Sequence, residues 1–251
     1  MNASNSRGMA EPLDYGDRAR IGLMVPSGNQ VCEAEIHAML PTGVAALVTR
    51  LELRGSSEAE LLHMIGSLEV AARLLADARP RLIGFHCTAV STFAPSMAGG
   101  IVQRIQDATG LPGTTTADAI LGALAALEAR RVLLVTPYVA SVHEREIAFL
   151  AAQGITVSGG AMMGLNTNAE MAELAPERIA AQVRAAAVAM PGADACFISC
   201  TAIRSAGLIA PLEAELDMPV ITSNQVMAWH MLRSCAIADA AAGFGRLMDP
   251  A

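Results

Sequence analysis

The chain has 251 residues, 53% of them apolar and 16% charged, with a formal net charge of −7 and no lysine among its 17 basic residues. That length and apolar fraction suffice for one large domain or two of ordinary size. The acidic balance without a basic run argues against a nucleic-acid partner, and the missing lysine removes Schiff-base chemistry and P-loop phosphate binding.

Residues 1–17 are polar and are expected to form a disordered tail; no uninterrupted apolar run is long enough for a bilayer, so no membrane partner and a cytoplasmic location are expected. Five cysteines, an odd number, fit reduced thiols better than a disulfide framework.

In chain order, Ile21 to Pro26 reads as the first strand, Ser27-Gly28-Asn29 as the loop after it, and Glu33 to Leu40 as a helix. Val44 to Leu53 is a second strand. Ser56 or Ser57 with Glu60 makes a capping box for one helix running to about Ala78. Arg81 to His86 is a third strand, Pro95 to Thr109 a helix ended by Gly110, Pro112 to Thr115 a short strand, and Ala117 to Ala129 a helix. Arg131 to Thr136 is again a strand, Val142 to Gln153 a helix closed by Gly154, Ile155 to Ser158 a strand, and Gly159 to Asn168 a loop. Ala169 to Met190 is helical with a break at Pro176. Ala195 to Ser199, Leu208 to Leu216, Val220 to Thr222 and Gln225 to Ala236 complete the pattern as strand, helix, strand and helix.

The second part repeats the first. Arg20 to Pro26 corresponds to Arg131 to Pro137, 111 residues later, and the same offset carries Glu35-Ile36 onto Glu146-Ile147. Cys87-Thr88-Ala89 and Cys200-Thr201-Ala202 end two apolar strands 113 residues apart. The fold expected is therefore α/β, with two pseudo-symmetric halves, each a mainly parallel sheet flanked by helices. The halves span residues 18–125 and 126–236, with exchange of the first half's C-terminal helix allowed, and a tail follows over 237–251. Ligands of open α/β sheets sit at the carboxyl ends of strands, so if the halves face each other about a pseudo-twofold axis the two cysteines meet across one cleft, the expected active site.

Two thiols on opposite walls suit either proton exchange at a carbon or thiolate attack on one carbon with protonation of its neighbour. The hydroxyls of Thr88, Thr201, Ser91 and Thr115 lie at strand ends, where they would donate to a carboxylate. Cys32, Cys196 and Cys235 have no symmetric partner and read as structural, and no Cys/His spacing completes a metal site. His86 should point away from Cys87 by strand alternation and reads as a packed histidine. Asn166 and Asn224 read as turn or cap residues, whereas Asn29 gains weight from its place after strand one.

The paired Cys-Thr segments, with Val25 to Asn29 and Val135 to Tyr138, resemble the aspartate/glutamate racemase superfamily, within it the maleate cis-trans isomerase and arylmalonate decarboxylase branch, over residues about 18 to 235. The resemblance implies two flavodoxin-like halves with the site between them, in a cofactor-free and metal-free enzyme acting on a small carboxylate, with a homo-oligomer expected. Both cysteines are kept in the isomerases, only the second in the decarboxylases. Carried over, Cys87 is the thiolate that adds to the alkene and Cys200 the acid that protonates the adjacent carbon. Asn29, Tyr138 and Asn168 bind carboxylates, with Thr88, Thr201 and Ser27 beside them. The reaction implied is maleate to fumarate by addition, rotation and elimination. Ser91-Thr92 is more hydroxylic than the isomerase pattern and keeps a decarboxylase open, as the paired thiols keep a two-cysteine racemase of an amino acid or hydantoin. Arg204 is a candidate for a second carboxylate. A catalytically idle binding protein is the reading outside enzymes.

Overall fold

The computed structural model describes residues 13–249 apart from 56, 95 and 241, so the calls on residues 1–12, on Ser56 as a cap and on Pro95 as a helix start lie outside the described residues. The elements are β1 (Ala19–Pro26), α1 (Cys32–Met39), β2 (Val44–Leu51), α2 (Glu58–Met64), α3 (Leu68–Asp77), β3 (Ile83–Phe85), α4 (Thr88–Ser91), α5 (Met97–Thr109), β4 (Gly113–Thr115) and α6 (Thr116–Ala126). The second half has β5 (Arg131–Tyr138), α7 (Ala140–Ala152), β6 (Thr156–Leu165), α8 (Asn168–Ala172), α9 (Pro176–Ala189), β7 (Ala195–Ile198), α10 (Ile209–Leu216), β8 (Val220–Thr222) and α11 (Ser223–Ser234).

They build two parallel four-stranded sheets, ordered β2-β1-β3-β4 and β6-β5-β7-β8. The chain is therefore α/β with two pseudo-symmetric halves. β1 and β5 are near-continuous apolar runs because parallel strands are covered on both faces. In each sheet the strand order reverses beside the central strand, between β1 and β3 and between β5 and β7. A crevice opens there at the carboxyl ends. Cys87 follows β3, and Cys200 follows β7, so each half delivers its cysteine to its own switch point.

Local signals act as expected in most places. Ser57 caps α2 by accepting the Glu60 N–H. Thr115 and Thr222 head α6 and α11 with full capping boxes closed by Asp118 and Gln225. Gly110 and Gly154 take positive φ where α5 and α7 end.

Three expectations need correction. The single helix expected to Ala78 is interrupted by a tight turn over Ile65–Ser67, where Gly66 weakens the helix, and both helices bury their apolar residues in one cluster. The stretch expected as a loop from Gly159 is instead strand, β6 continuing to Leu165. Its pairing with β5, irregular between Val132 and Leu133 and between Thr136 and Tyr138, overrides the poor strand propensity of Gly159 and Gly160. At Gly160 the backbone lies so close to the Leu134 carbonyl that no β-carbon fits. Of the tail expected over 237–251, the described residues 237–240 and 242–249 fold back on the domain, with Ile237, Leu247 and Met248 buried and the Phe244 carbonyl accepting a Gln225 side-chain hydrogen bond.

α11 lies across the two halves. It packs on α6 and on α1, and Met231 sits against Gly84 of β3, where a β-carbon would meet its sulfur at 3.1 Å. Its N-terminus therefore emerges between the cysteine loops. No described helix is long and apolar enough to cross a membrane.

Candidate active site

One cavity of about 360 Å³, counted out to its mouth, lies between the halves and is lined by both Cys87 and Cys200. Thr88, Tyr138, Asn168 and Thr201 line it with them, as do Asn166 and an apolar side including Leu53, Leu61 and Met171. Among the described residues that line it there is no arginine or histidine, and the donors they offer a carboxylate are amide, hydroxyl and backbone N–H groups.

Cys87 caps α4 with extended backbone, and the N–H groups of Ala89 and Val90 point at its sulfur. Burial pushes the thiol up to about 12 and the nearby Cys200 adds to the rise, while those two N–H donors oppose it. Cys200 has a φ of +114°, on the side that side-chain-bearing residues rarely adopt. That backbone is pinned by a 2.9 Å hydrogen bond from its N–H to Ser223 Oγ, and its sulfur accepts the Ala202 N–H at 3.3 Å. Burial again sends the thiol up to about 12, opposed by the Ala202 N–H and by the Tyr138 hydroxyl, which donates to the sulfur. The fully buried Tyr138 hydroxyl is itself raised by burial and then by the sulfur beside it, so it stays a donor at neutral pH.

Six of the eight residues proposed from sequence thus share one cavity; two do not. Asn29 is buried, but its amide N–H groups go to the Thr201 carbonyl (3.0 Å) and hydroxyl (2.9 Å), and its oxygen accepts from the N–H groups of Val31 and Cys32. Its amide N–H groups are used in joining the halves and its oxygen in the local turn, which leaves no side-chain hydrogen-bonding capacity for a ligand. Ser27 is exposed outside the cavity, and its hydroxyl accepts the Leu53 N–H. Arg204 is exposed and donates to the Leu174 carbonyl. Ser91 and Thr115 are spent locally, Ser91 on the Thr88 carbonyl and Thr115 on the capping box of α6.

Behind the cavity lie polar groups to which sequence reasoning gave no functional role, among them His86, packed as expected. His86 is fully buried and neutral, its pKa lowered to about 4 by burial. Its Nε2 lies 2.8 Å from Asn224 Oδ1 and its Nδ1 3.1 Å from Thr116 Oγ1. Asn224, read as a cap, also donates to Glu35 (2.6 Å) and to the Thr201 carbonyl (3.3 Å). Glu35 in turn accepts the N–H groups of Ser205 and Ala206. In the other half Glu146 is buried on α7 and accepts the Ser199 hydroxyl at 2.9 Å. Its second oxygen has no partner among the described residues, and burial lifts its pKa to about 8. The one signal that could have found these carboxyls is the repeat, since Glu35 and Glu146 are equivalent positions.

The family model for arylmalonate decarboxylase matches residues 21–248. A maleate isomerase from Nocardia farcinica is 31% identical over 240 residues, covering 91% of this chain and 95% of the relative. Arylmalonate decarboxylase from Bordetella bronchiseptica is 28% identical over 231 residues, covering 91% and 96%. A solved structure of a mutant Nocardia farcinica maleate cis-trans isomerase, with a covalently bound succinylcysteine intermediate, superposes with a TM-score of 0.85 at 26% identity, covering 92% and 98% of the two chains.

Proposed function

The chain belongs to the arylmalonate decarboxylase family, an enzyme class that takes in maleate isomerases, and within it we propose a cofactor-independent cis-trans isomerase of a small unsaturated dicarboxylate, maleate to fumarate. The observation that carries this reading is the pair of thiols, Cys87 and Cys200, lining one cavity. A decarboxylation that needs a single proton donor leaves Cys87 without a task.

In the proposed cycle Cys87 Sγ, as thiolate, adds to one alkene carbon. The electron pair moves onto the neighbouring carbon and its carboxylate, and Cys200 gives that carbon its proton. The result is a succinyl thioether on Cys87 and a thiolate on Cys200. The central carbon–carbon bond is now single and turns within the cavity. Cys200 then removes a proton from the carbon it protonated, the carbon–sulfur bond breaks, and fumarate leaves with both sulfurs restored. Protons and charge balance with one negative charge shared by the pair throughout. The succinylcysteine held by the Nocardia farcinica relative is the thioether this cycle requires.

Burial holds both thiols up near 12, so the reactive thiolate is a minor species whose formation depends on the N–H donors of Ala89, Val90 and Ala202 and on the Tyr138 hydroxyl. Asn168 and the hydroxyls of Thr88 and Thr201 are the groups placed to hold carboxylates and to meet the charge that develops on the intermediate.

The test is proton NMR of the enzyme with maleate in deuterated buffer, beside Cys87→Ser and Cys200→Ser. Fumarate from the parent and from neither variant is the result expected. No turnover of maleate, or turnover that survives either substitution, rejects the reading; consumption of an arylmalonate that only Cys200→Ser abolishes replaces it with the decarboxylase.

A further inference from the structure

The two cysteine loops belong to different halves, yet their separation decides whether one thiol can attack a carbon while the other protonates its neighbour. Two consecutive residues at the start of α11 touch both loops. Ser223 Oγ accepts the Cys200 N–H at 2.9 Å and the Thr88 hydroxyl, next to Cys87, at 2.9 Å. Asn224 Nδ2 donates to the Thr201 carbonyl, next to Cys200, and its Oδ1 bonds His86 Nε2, the residue before Cys87.

The direction of these bonds is determined by the partners. Asn224 must present its amino group to the Glu35 carboxylate and the Thr201 carbonyl, both acceptors, which leaves its oxygen for His86. His86 therefore carries its proton on Nε2, with Nδ1 facing the Thr116 hydroxyl. Apart from the half-buried Glu35, the side chains of this network are buried, so breaking one bond leaves a polar atom short of a partner.

The repeat sharpens the point. Thr115 and Thr222 are equivalent N-caps, so Thr116 corresponds to Ser223 and Ala117 to Asn224. The first half has a hydroxyl at this place but no side chain that could reach across, and Thr116 bonds only within its own half, to His86 and the Phe85 carbonyl. Of these two equivalent helix starts, it is that of α11, the helix that packs on α1 of the opposite half, whose side chains touch both cysteine loops.

We infer that Ser223 and Asn224 form a spacer that sets the position of Cys87 relative to Cys200, and that they are positioning residues for a reaction using both thiols. Neither lines the cavity, so they act through Thr88, His86 and the backbone of Cys200 and Thr201.

The inference rests on the isomerase reading only for its kinetic readout. With maleate, Ser223→Ala is expected to lower kcat about 10- to 100-fold with KM within about threefold, and Ser223→Thr, copying Thr116, to regain most of it. Independently of turnover, the rates at which iodoacetamide alkylates Cys87 and Cys200, followed peptide by peptide with mass spectrometry, should both change in Ser223→Ala. Asn224→Asp, which sets a carboxylate against Glu35, should do the same, and thermal unfolding reports whether each variant is folded. A folded Ser223→Ala enzyme in which Cys200 alone changes, or neither thiol does, overturns the spacer. An enzyme inert to maleate in which both thiols respond leaves the spacer standing and removes the isomerase reading instead.

Discussion

Glu146 offers a test of the burial argument that does not depend on knowing the substrate. Its carboxyl releases its proton near 4.5 in the unfolded chain and near 8 in the fold, because burial disfavours the charged form more than the Ser199 bond favours it. Between those values the folded chain holds a proton the unfolded chain has given up. Stability from this group is thus fully present below 4.5 and is lost as pH rises toward 8, at roughly 1.4 kcal/mol per unit and about 5 kcal/mol in all. His86 works in the opposite sense. It titrates near 6.5 unfolded and about 4 folded, so it adds stability as pH rises between those values, about 3 kcal/mol in total. The two slopes cancel between about 4.5 and 6.5, and the parent should then lose about 2 kcal/mol between 6.5 and 8 from this pair. Glu146→Gln cannot ionise and should remove only the falling component. Urea unfolding of parent and variant, followed by circular dichroism between about pH 5 and 8, should show the variant gaining on the parent with every step upward. Parallel curves would mean that the carboxyl is already ionised in the fold, and the account of its burial would be refuted.

Tyr138→Phe removes the hydroxyl donor on Cys200 and should reduce kcat/KM about 10- to 100-fold, the scale of a hydrogen bond to a charged group, while slowing alkylation of Cys200 by iodoacetamide. Asn29→Ala strands the N–H groups of Val31 and Cys32 and uncouples Thr201. Urea unfolding should report a loss of about 2 to 4 kcal/mol, and a loss under about 1 would show that water replaces the amide. Gly160→Ala drives a methyl into the Leu134 carbonyl and should cost more than about 3 kcal/mol or prevent folding. Gly99→Ala, exposed within α5 with nothing near its added carbon, should raise stability by about 0.5 to 1 kcal/mol in the same assay.

The comparison between sequence and structure divides along the range of the interactions involved. Apolar runs ending in Cys-Thr-Ala, capping residues such as Thr115 and Thr222, and terminating glycines are local signals acting over a few residues, and each element they mark is present. The internal repeat extends this to a non-local statement, because two copies of one pattern must form two copies of one sheet. That is how the sequence alone pairs Cys87 with Cys200, 113 residues apart, and the two line one cavity in the fold.

What the chain did not disclose depends on contacts between the copies. Asn29 follows β1 where a ligand-binding residue would stand, but Thr201 from the other half takes its amide. β6 runs through two glycines because β5 supplies hydrogen-bond partners that no local propensity encodes. Asn224 looks like any residue in a first helical turn until α11 crosses onto α1 and brings it between His86, Glu35 and Thr201. Residue types and their spacing therefore prescribed the strands, the helices and the chemistry available to them. The placement of α11 across the halves decided which polar groups face the cavity and which are consumed in holding it together, because a buried hydrogen bond is satisfied by whichever partner the packing brings within reach.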